Sequence, residues 1–233
     1  MEKLSVKSCI AYGWKTFWSR PWLFVLAGAI TFAVNAIFSI PEEILNSASE
    51  AAAGGAGAQL ALFSVVFSVM SIIVSIYIQI GTTNFTLRAH DDVTNAHVRD
   101  LLMLKGFWRY VGASILVFLA VIAGLILLIV PGIILALALS FVTYLVVDKG
   151  LGPVSAFKES MAITKGNRWS LFVLGLAIFG LNLLGLLALV IGLVVTIPVS
   201  MLASIHAYRL LSGSPVVADT EIIVETITET VTA

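Results

Sequence analysis

Residues 107–150, FWRYVGASILVFLAVIAGLILLIVPGIILALALSFVTYLVVDKG, decide the fold of this chain. Phe107, Trp108 and Arg109 open the stretch, and Asp148-Lys149-Gly150 closes it. No basic residue lies between Arg109 and Lys149, and Pro131-Gly132 interrupts the run near its middle. A helix needs about 20 apolar residues to cross a bilayer. The stretch therefore reads as two spans, residues 111–130 and 133–147, whose outer ends lie on the same side of a membrane. The second is short: it takes in a few residues of the Pro-Gly corner or ends in the headgroup layer. A re-entrant hairpin is the alternative for the pair.

The pattern repeats on both sides. Residues 22–40, 60–80, 169–189 and 192–211 are apolar runs of similar length, which makes about six spans. Proline is expected to mark the corners, because it lacks an N–H and does not continue a helix comfortably. Ile40-Pro41, Val130-Pro131 and Ile197-Pro198 each follow an apolar run. If Pro198 instead kinks the sixth span, Gly185 and Gly192 mark the turn before it. Composition agrees: 60% of the 233 residues are hydrophobic and 11% charged, with mean hydropathy +1.07, whereas soluble domains are about 25% charged. The apolar runs are continuous rather than alternating, which argues against a β-barrel. The fold class read here is all-α, a polytopic membrane helical bundle. Net charge is zero, so nothing draws the chain to nucleic acid. The single cysteine, Cys9, excludes an internal disulfide and a cysteine-based metal site. The early Lys and Arg residues, with no small-residue cleavage site after the first apolar run, do not read as a cleaved signal peptide.

Charge sets the orientation. All thirteen Lys and Arg residues fall at residues 3–20, 88–109, 149–168 and 209. By the positive-inside rule these segments, with both termini, are expected to face the cytoplasm of a prokaryotic inner membrane. The opposite side, chiefly residues 41–59, carries only Glu42, Glu43 and Glu50. Trp14, Trp18, Trp22, Trp108 and Trp169 all lie beside the basic segments, where indole prefers the headgroup layer.

The chain also reads as three versions of one unit, about residues 4–88, 93–149 and 153–212, in a single transmembrane domain covering 1–212. Each unit starts with a short amphipathic segment, passes a basic-aromatic anchor and forms a transmembrane hairpin. Val6, Cys9, Ile10, Gly13, Trp14, Phe17 and Trp18 recur at helical spacing in the first unit; Val154, Phe157, Met161 and Thr164 do so in the third. These segments are expected to lie at the interface, with Lys and Arg reaching phosphates. The anchors are Arg20-Pro21-Trp22, Lys105-Gly106-Phe107-Trp108-Arg109 and Lys165-Gly166-Asn167-Arg168-Trp169.

These residues carry a resemblance. Pro131-Gly132-Ile133, Asp148-Lys149-Gly150, Ala156-Phe157-Lys158-Glu159-Ser160 and Thr164-Lys165-Gly166-Asn167-Arg168-Trp169 are similar to a prokaryotic membrane family. That family includes the membrane domain found beside some glycerophosphodiester phosphodiesterases and related six-span proteins of uncharacterised function. The resemblance is best over residues 107–211 and implies architecture only. No soluble phosphodiesterase domain stands in these 233 residues, so that activity is not carried over.

Chemistry-bearing residues are sparse. Ionisable groups deep in a membrane mark ion or proton pathways, and none is expected at mid-depth here. The deepest polar groups are Asn35, Gln79, Asn182, Thr196 and His206. The second span has a polar stripe at Ser64, Ser68, Ser71, Ser75, Gln79 and Thr82, all on one helical face. Gly28, Thr31, Asn35 and Ser39 make a shorter stripe on the first span. Such stripes pack helices closely; a polar groove for a headgroup or solute is the alternative. His90-Asp91-Asp92…His97 has metal-ligand residue types, but a solvated loop with Asp92 or Thr94 capping a helix is the better reading. His206, near the cytoplasmic end of the sixth span, reads as an interfacial or packing residue. No phosphate loop, nucleophile elbow or zinc-protease motif is present, and no catalytic residue, metal or cofactor is assigned. The acidic stretch 213–233 is expected to be a disordered cytoplasmic tail.

The expectation for function is a non-enzymatic integral membrane protein, a scaffold, assembly or envelope-homeostasis factor. Its lipid-interface anchors are Trp14, Trp18, Arg20, Trp22, Trp108, Arg109, Arg168 and Trp169. The expected partners are membrane lipids, with anionic headgroups on the cytoplasmic side, and a second copy or another membrane protein. The alternative is a transporter or channel using the serine-lined face of the second span.

Overall fold

The computed structural model describes residues 4–52, 55–102, 106–188 and 192–213. Lys3, Lys105 and the acidic stretch after Gly213 lie outside the described residues. Among the described residues all regular structure is helical: α1 Val6–Ser19, α2 Pro21–Ala51, α3 Gly55–Asp91, a 3-10 helix Val98–Leu102, α4 Phe107–Leu127, α5 Ile129–Ala138, α6 Val142–Lys149, α7 Pro153–Ile163, α8 Arg168–Leu187 and α9 Leu193–Ser212. Six helical stretches are long and apolar enough to cross a membrane: α2, α3, α4, α5 with α6, α8 and α9. The chain is a multi-pass membrane protein. Each stretch of the third and fourth pair has 21 residues, which at 1.5 Å per residue gives about 30 Å, enough for a full crossing.

Proline marks fewer corners than its chemistry led us to expect. Pro41 lies inside α2, which runs on to Ala51. One lost hydrogen bond is tolerated there because the extension beyond Pro41 packs on α3, where Ser68 Oγ donates to Glu42 Oε1 at 2.6 Å. Pro131 lies in the first turn of α5, where a missing N–H costs nothing; the corner itself is the extended Leu128, φ −169°. Gly132 is what the corner needs, since a Cβ there would stand 2.9 Å from the Leu125 backbone N. Pro198 lies inside α9, which starts at Leu193, after α8 ends at Leu187. Pro21 starts α2 at its first helical position and separates it from α1.

The fourth span is broken between Ala138 and Val142. A helix end inside a membrane leaves carbonyls without partners, and α7 supplies them. Ser160 Oγ donates to Ala138 O at 2.8 Å, and Thr164 Oγ1 reaches the same oxygen at 3.3 Å. Ala156, Ser160 and Thr164 are each fully buried, whereas Val154 is 59% exposed. α7 thus turns Ala156, Ser160 and Thr164 onto the break, where small side chains allow close approach, while Phe157 and Met161 of the apolar stripe pack partly buried against the core and Val154 stays exposed. Likewise α1 turns Cys9, Gly13 and Phe17 inward. A Cβ on Gly13 would meet Val199 O at 2.6 Å, so α1 is docked closely on α9.

The sixth span, α9, is the central one: 56% of its window is buried, against 6–39% for the others. The main core gathers Cys9, Tyr110, Val142, Leu145, Ala156, Leu171, Ile205 and Tyr208. It lies toward the end of the bundle that carries the Lys and Arg residues, here called the basic end. At the other end the α4–α5 corner is bare, with Ile126, Leu127, Leu128, Ile129 and Val130 all 66–79% exposed.

Candidate functional site

The basic ends of α3, α6 and α9 converge on Arg209. Its guanidinium forks onto Asp91, Nε to Oδ1 at 3.0 Å and Nη2 to Oδ2 at 2.6 Å. Its Nη1 donates to Asp148 Oδ2 at 2.7 Å. The Tyr208 hydroxyl donates to the same Asp148 oxygen at 2.7 Å. The Arg209 side chain is 8% exposed, Asp148 18% and Asp91 44%. A buried guanidinium requires such partners, and its planar fork suits a carboxylate.

Beside this triad lies a histidine pair. His90 Nε2 stands 3.1 Å from His206 Nδ1, and His90 Nδ1 stands 3.2 Å from Asp91 Oδ1. A carboxylate only accepts, so the His90 nitrogen facing Asp91, Nδ1, is the one that carries a proton in this contact. Tyr12 of α1 stacks on His206 with ring centroids 4.2 Å apart, and its hydroxyl donates to His90 O at 2.7 Å. Burial raises the Tyr12 phenol above its ordinary range, with the Asp91 charge adding to the effect. Burial also pushes the Cys9 thiol up to about 11. Four helices, α1, α3, α6 and α9, are therefore tied at one polar cluster.

This arrangement corrects the loop reading of residues 90–92. His90 is 2% exposed and Asp91 ends α3. Asp92 does not start an α-helix. It closes a turn, accepting from Thr94 N at 2.8 Å and from Asn95 N at 3.2 Å. Those bonds with the Thr94 hydroxyl and the Asn95 amide hold its carboxyl at about 2. Asp100 pairs with Arg88 at 3.1 Å and accepts from His97 N. Among the described residues no group of three or more His, Cys, Asp or Glu is placed to hold a metal ion. The buried Arg209 is what sequence reasoning missed. The available signal was its isolation: a single basic residue between Tyr208 and two leucines, with Asp91 and Asp148 at the same ends of their spans.

The anchors divide. The five tryptophans are all exposed, from 45% for Trp14 to 82% for Trp22. The arginines are partly engaged within the chain. Arg20 Nη1 donates to Val93 O and Thr94 O at 3.0 and 2.8 Å, and Arg109 Nη1 donates to Gly150 O at 2.8 Å. Arg168 Nε is buried with no hydrogen-bond partner among the described residues.

The serine stripe faces α2 and α3's own backbone. Ser64 donates to Ala61 O, Ser68 to Glu42 and Ser75 to Asn35 Oδ1 at 3.4 Å. Gln79 leaves that seam and accepts from the Tyr110 hydroxyl of α4 at 2.9 Å. Asn182 joins α8 to α9 by donating to Ser200 Oγ at 3.0 Å. Ser71 has intermediate burial. A different space is open: a lateral cavity of about 780 Å³ between α2, α3 and α9. Its walls include Phe24, Gly28, Asn35, Thr82, Phe85 and Met201.

Comparison with known proteins adds one positive finding. The model of a family described as protein of unknown function (DUF975) matches residues 59–214. No curated protein matches, and no solved structure matches.

Proposed function

The chain belongs to the DUF975 family of proteins of unknown function, and we propose that it is a non-enzymatic membrane scaffold. In this reading the basic end faces the cytoplasm and presents the exposed tryptophans and the anchor arginines to anionic lipid and to a membrane-protein partner. The observation that carries it is the Arg209 cluster, which fastens α1, α3, α6 and α9 together at that end. A docking platform benefits from helices that hold their spacing, whereas alternating access requires bundles to rock apart. A solute path along the second span is disfavoured, because Ser68 and Ser75 are engaged with α2. The likeness to the membrane domain beside glycerophosphodiester phosphodiesterases is carried no further than architecture.

The test is Arg20→Gln, Arg109→Gln and Arg168→Gln combined. Purified wild type and triple variant are compared for retained anionic lipid by native mass spectrometry. Each juxtamembrane charge contributes about 1 kcal/mol to anionic-lipid attraction, so retention should fall strongly. Equal retention sinks the lipid-facing half of the proposal.

A further inference from the structure

We infer that the cavity between α2, α3 and α9 is a binding site for one acyl chain of a phospholipid from the leaflet at the basic end. The site stands on the six-span reading and not on the scaffold role.

Its setting selects hydrocarbon. Three of the bordering helices, α2, α3 and α9, are candidate spans, Leu101 of the 3-10 helix also lines the space, and the wall is apolar apart from Thr31, Asn35, Thr82 and Thr86. Along α2 the lining runs from Phe24 to Asn35, which at 1.5 Å per residue is about 16 Å. That is about half of a 30 Å hydrocarbon core, the depth of one leaflet. The volume lies in the range of small-molecule pockets, about 300–1,000 Å³.

Gly28 identifies the space as built into the sequence. In a membrane bundle a glycine ordinarily permits close helix contact. Here a Cβ on Gly28 would meet nothing within 4 Å. The glycine therefore widens the cavity instead of closing a seam. One group matches the polar part of a phospholipid. The exposed Arg20 stands one turn before Phe24, on the basic side of the lining, where a phosphate would lie.

The experiment uses the full chain in nanodiscs with a phosphatidylglycerol probe carrying a photoactivatable group on its acyl chain. Cross-linked peptides are mapped by mass spectrometry. Labelling at Thr82, Phe85 and Met201 should exceed that at Phe118 and Leu119, on the exposed face of α4, by about tenfold, a preference of about 1.4 kcal/mol. Gly28→Trp fills the cavity and should bring its labelling down to the α4 level, while Gly28→Ala leaves labelling unchanged. Should Gly28→Trp lower the unfolding temperature, Gly28→Leu replaces it. Arg20→Gln should reduce labelling by the anionic probe toward that by a phosphatidylcholine probe. Equal labelling of the cavity and α4 means annular lipid only and overturns the site. Undiminished labelling in a folded cavity-filled variant overturns it as well, and so does occupation of the cavity by a second copy of the chain. No change for Arg20→Gln overturns the placement of the phosphate.

Discussion

Arg209 and Asp91 stand 118 residues apart in the chain and meet as a fork on a carboxylate, at 3.0 and 2.6 Å. The pair joins the last span to the second, and Asp148 brings the fourth into the same contact. Neither acid is an incidental surface neighbour, because the guanidinium they share is 8% exposed.

Removing Arg209 should therefore be costly. Arg209→Met leaves Asp148 poorly hydrated and without its cation, a situation that costs about 3 kcal/mol or more. Arg209→Lys should recover only part of this, since an ammonium cannot reproduce the fork. Asp91→Asn should cost less than Asp148→Asn, because Asp91 is the more exposed acid. Thermal unfolding in detergent ranks the four variants; a neutral Arg209→Met would refute the account.

Two glycines should respond oppositely to alanine. Gly13→Ala places a methyl 2.6 Å from Val199 O, a backbone atom that cannot swing aside. It should loosen α1 and expose Cys9. Gly28→Ala meets open space and should be neutral or stabilising by about 0.5–1 kcal/mol through helix propensity. Unfolding midpoints measured side by side decide the matter.

The break in the fourth span predicts a role for the α7 hydroxyls. Ser160→Ala with Thr164→Val removes both side-chain donors to Ala138 O. Leaving a buried carbonyl unpaired costs about 1–3 kcal/mol. Hydrogen exchange should show faster opening of α6 and α7 relative to α8.

Cys9 should be nearly inert in the folded protein. It is 0% exposed and burial holds its thiol at about 11, so little thiolate forms at neutral pH. Maleimide should leave the native protein unmodified and label it fully in SDS. Rapid native labelling would show that α1 does not stay docked.

The turn after α3 should survive acid to an unusual degree. The Asp92 carboxyl is depressed to about 2, so its bonds to Thr94 and Asn95 persist well below the ordinary carboxylate range. Because the folded value lies below the unfolded one, the stabilisation is complete above about pH 4 and is lost as pH falls toward 2. Amide exchange at Thr94 and Asn95, corrected for intrinsic rate, should rise only at the acid end of that window. A rise centred near pH 4 would contradict the assignment.

The amino-acid sequence by itself determined that this is a multi-pass helical membrane protein with about six spans and its basic residues gathered at one end. Hydrocarbon accepts only segments whose backbone bonds are satisfied internally, so length and apolarity alone mark the spans. Local chemistry was a weaker guide at the corners. Pro41 continues a helix that packing on α3 supports, and Pro131 sits inside a first turn. Nor did the sequence reveal which polar residues meet. Arg209 reads only as one of the basic residues at that end, His206 as an interfacial or packing residue and His90-Asp91 as part of a solvated loop. Only the tertiary structure gathered them, because pairing depends on how α3, α6 and α9 cross, and helical period carries no record of that. The same holds for Gly28: its spacing matched a packing stripe, and the absence of a facing helix made it the wall of a cavity.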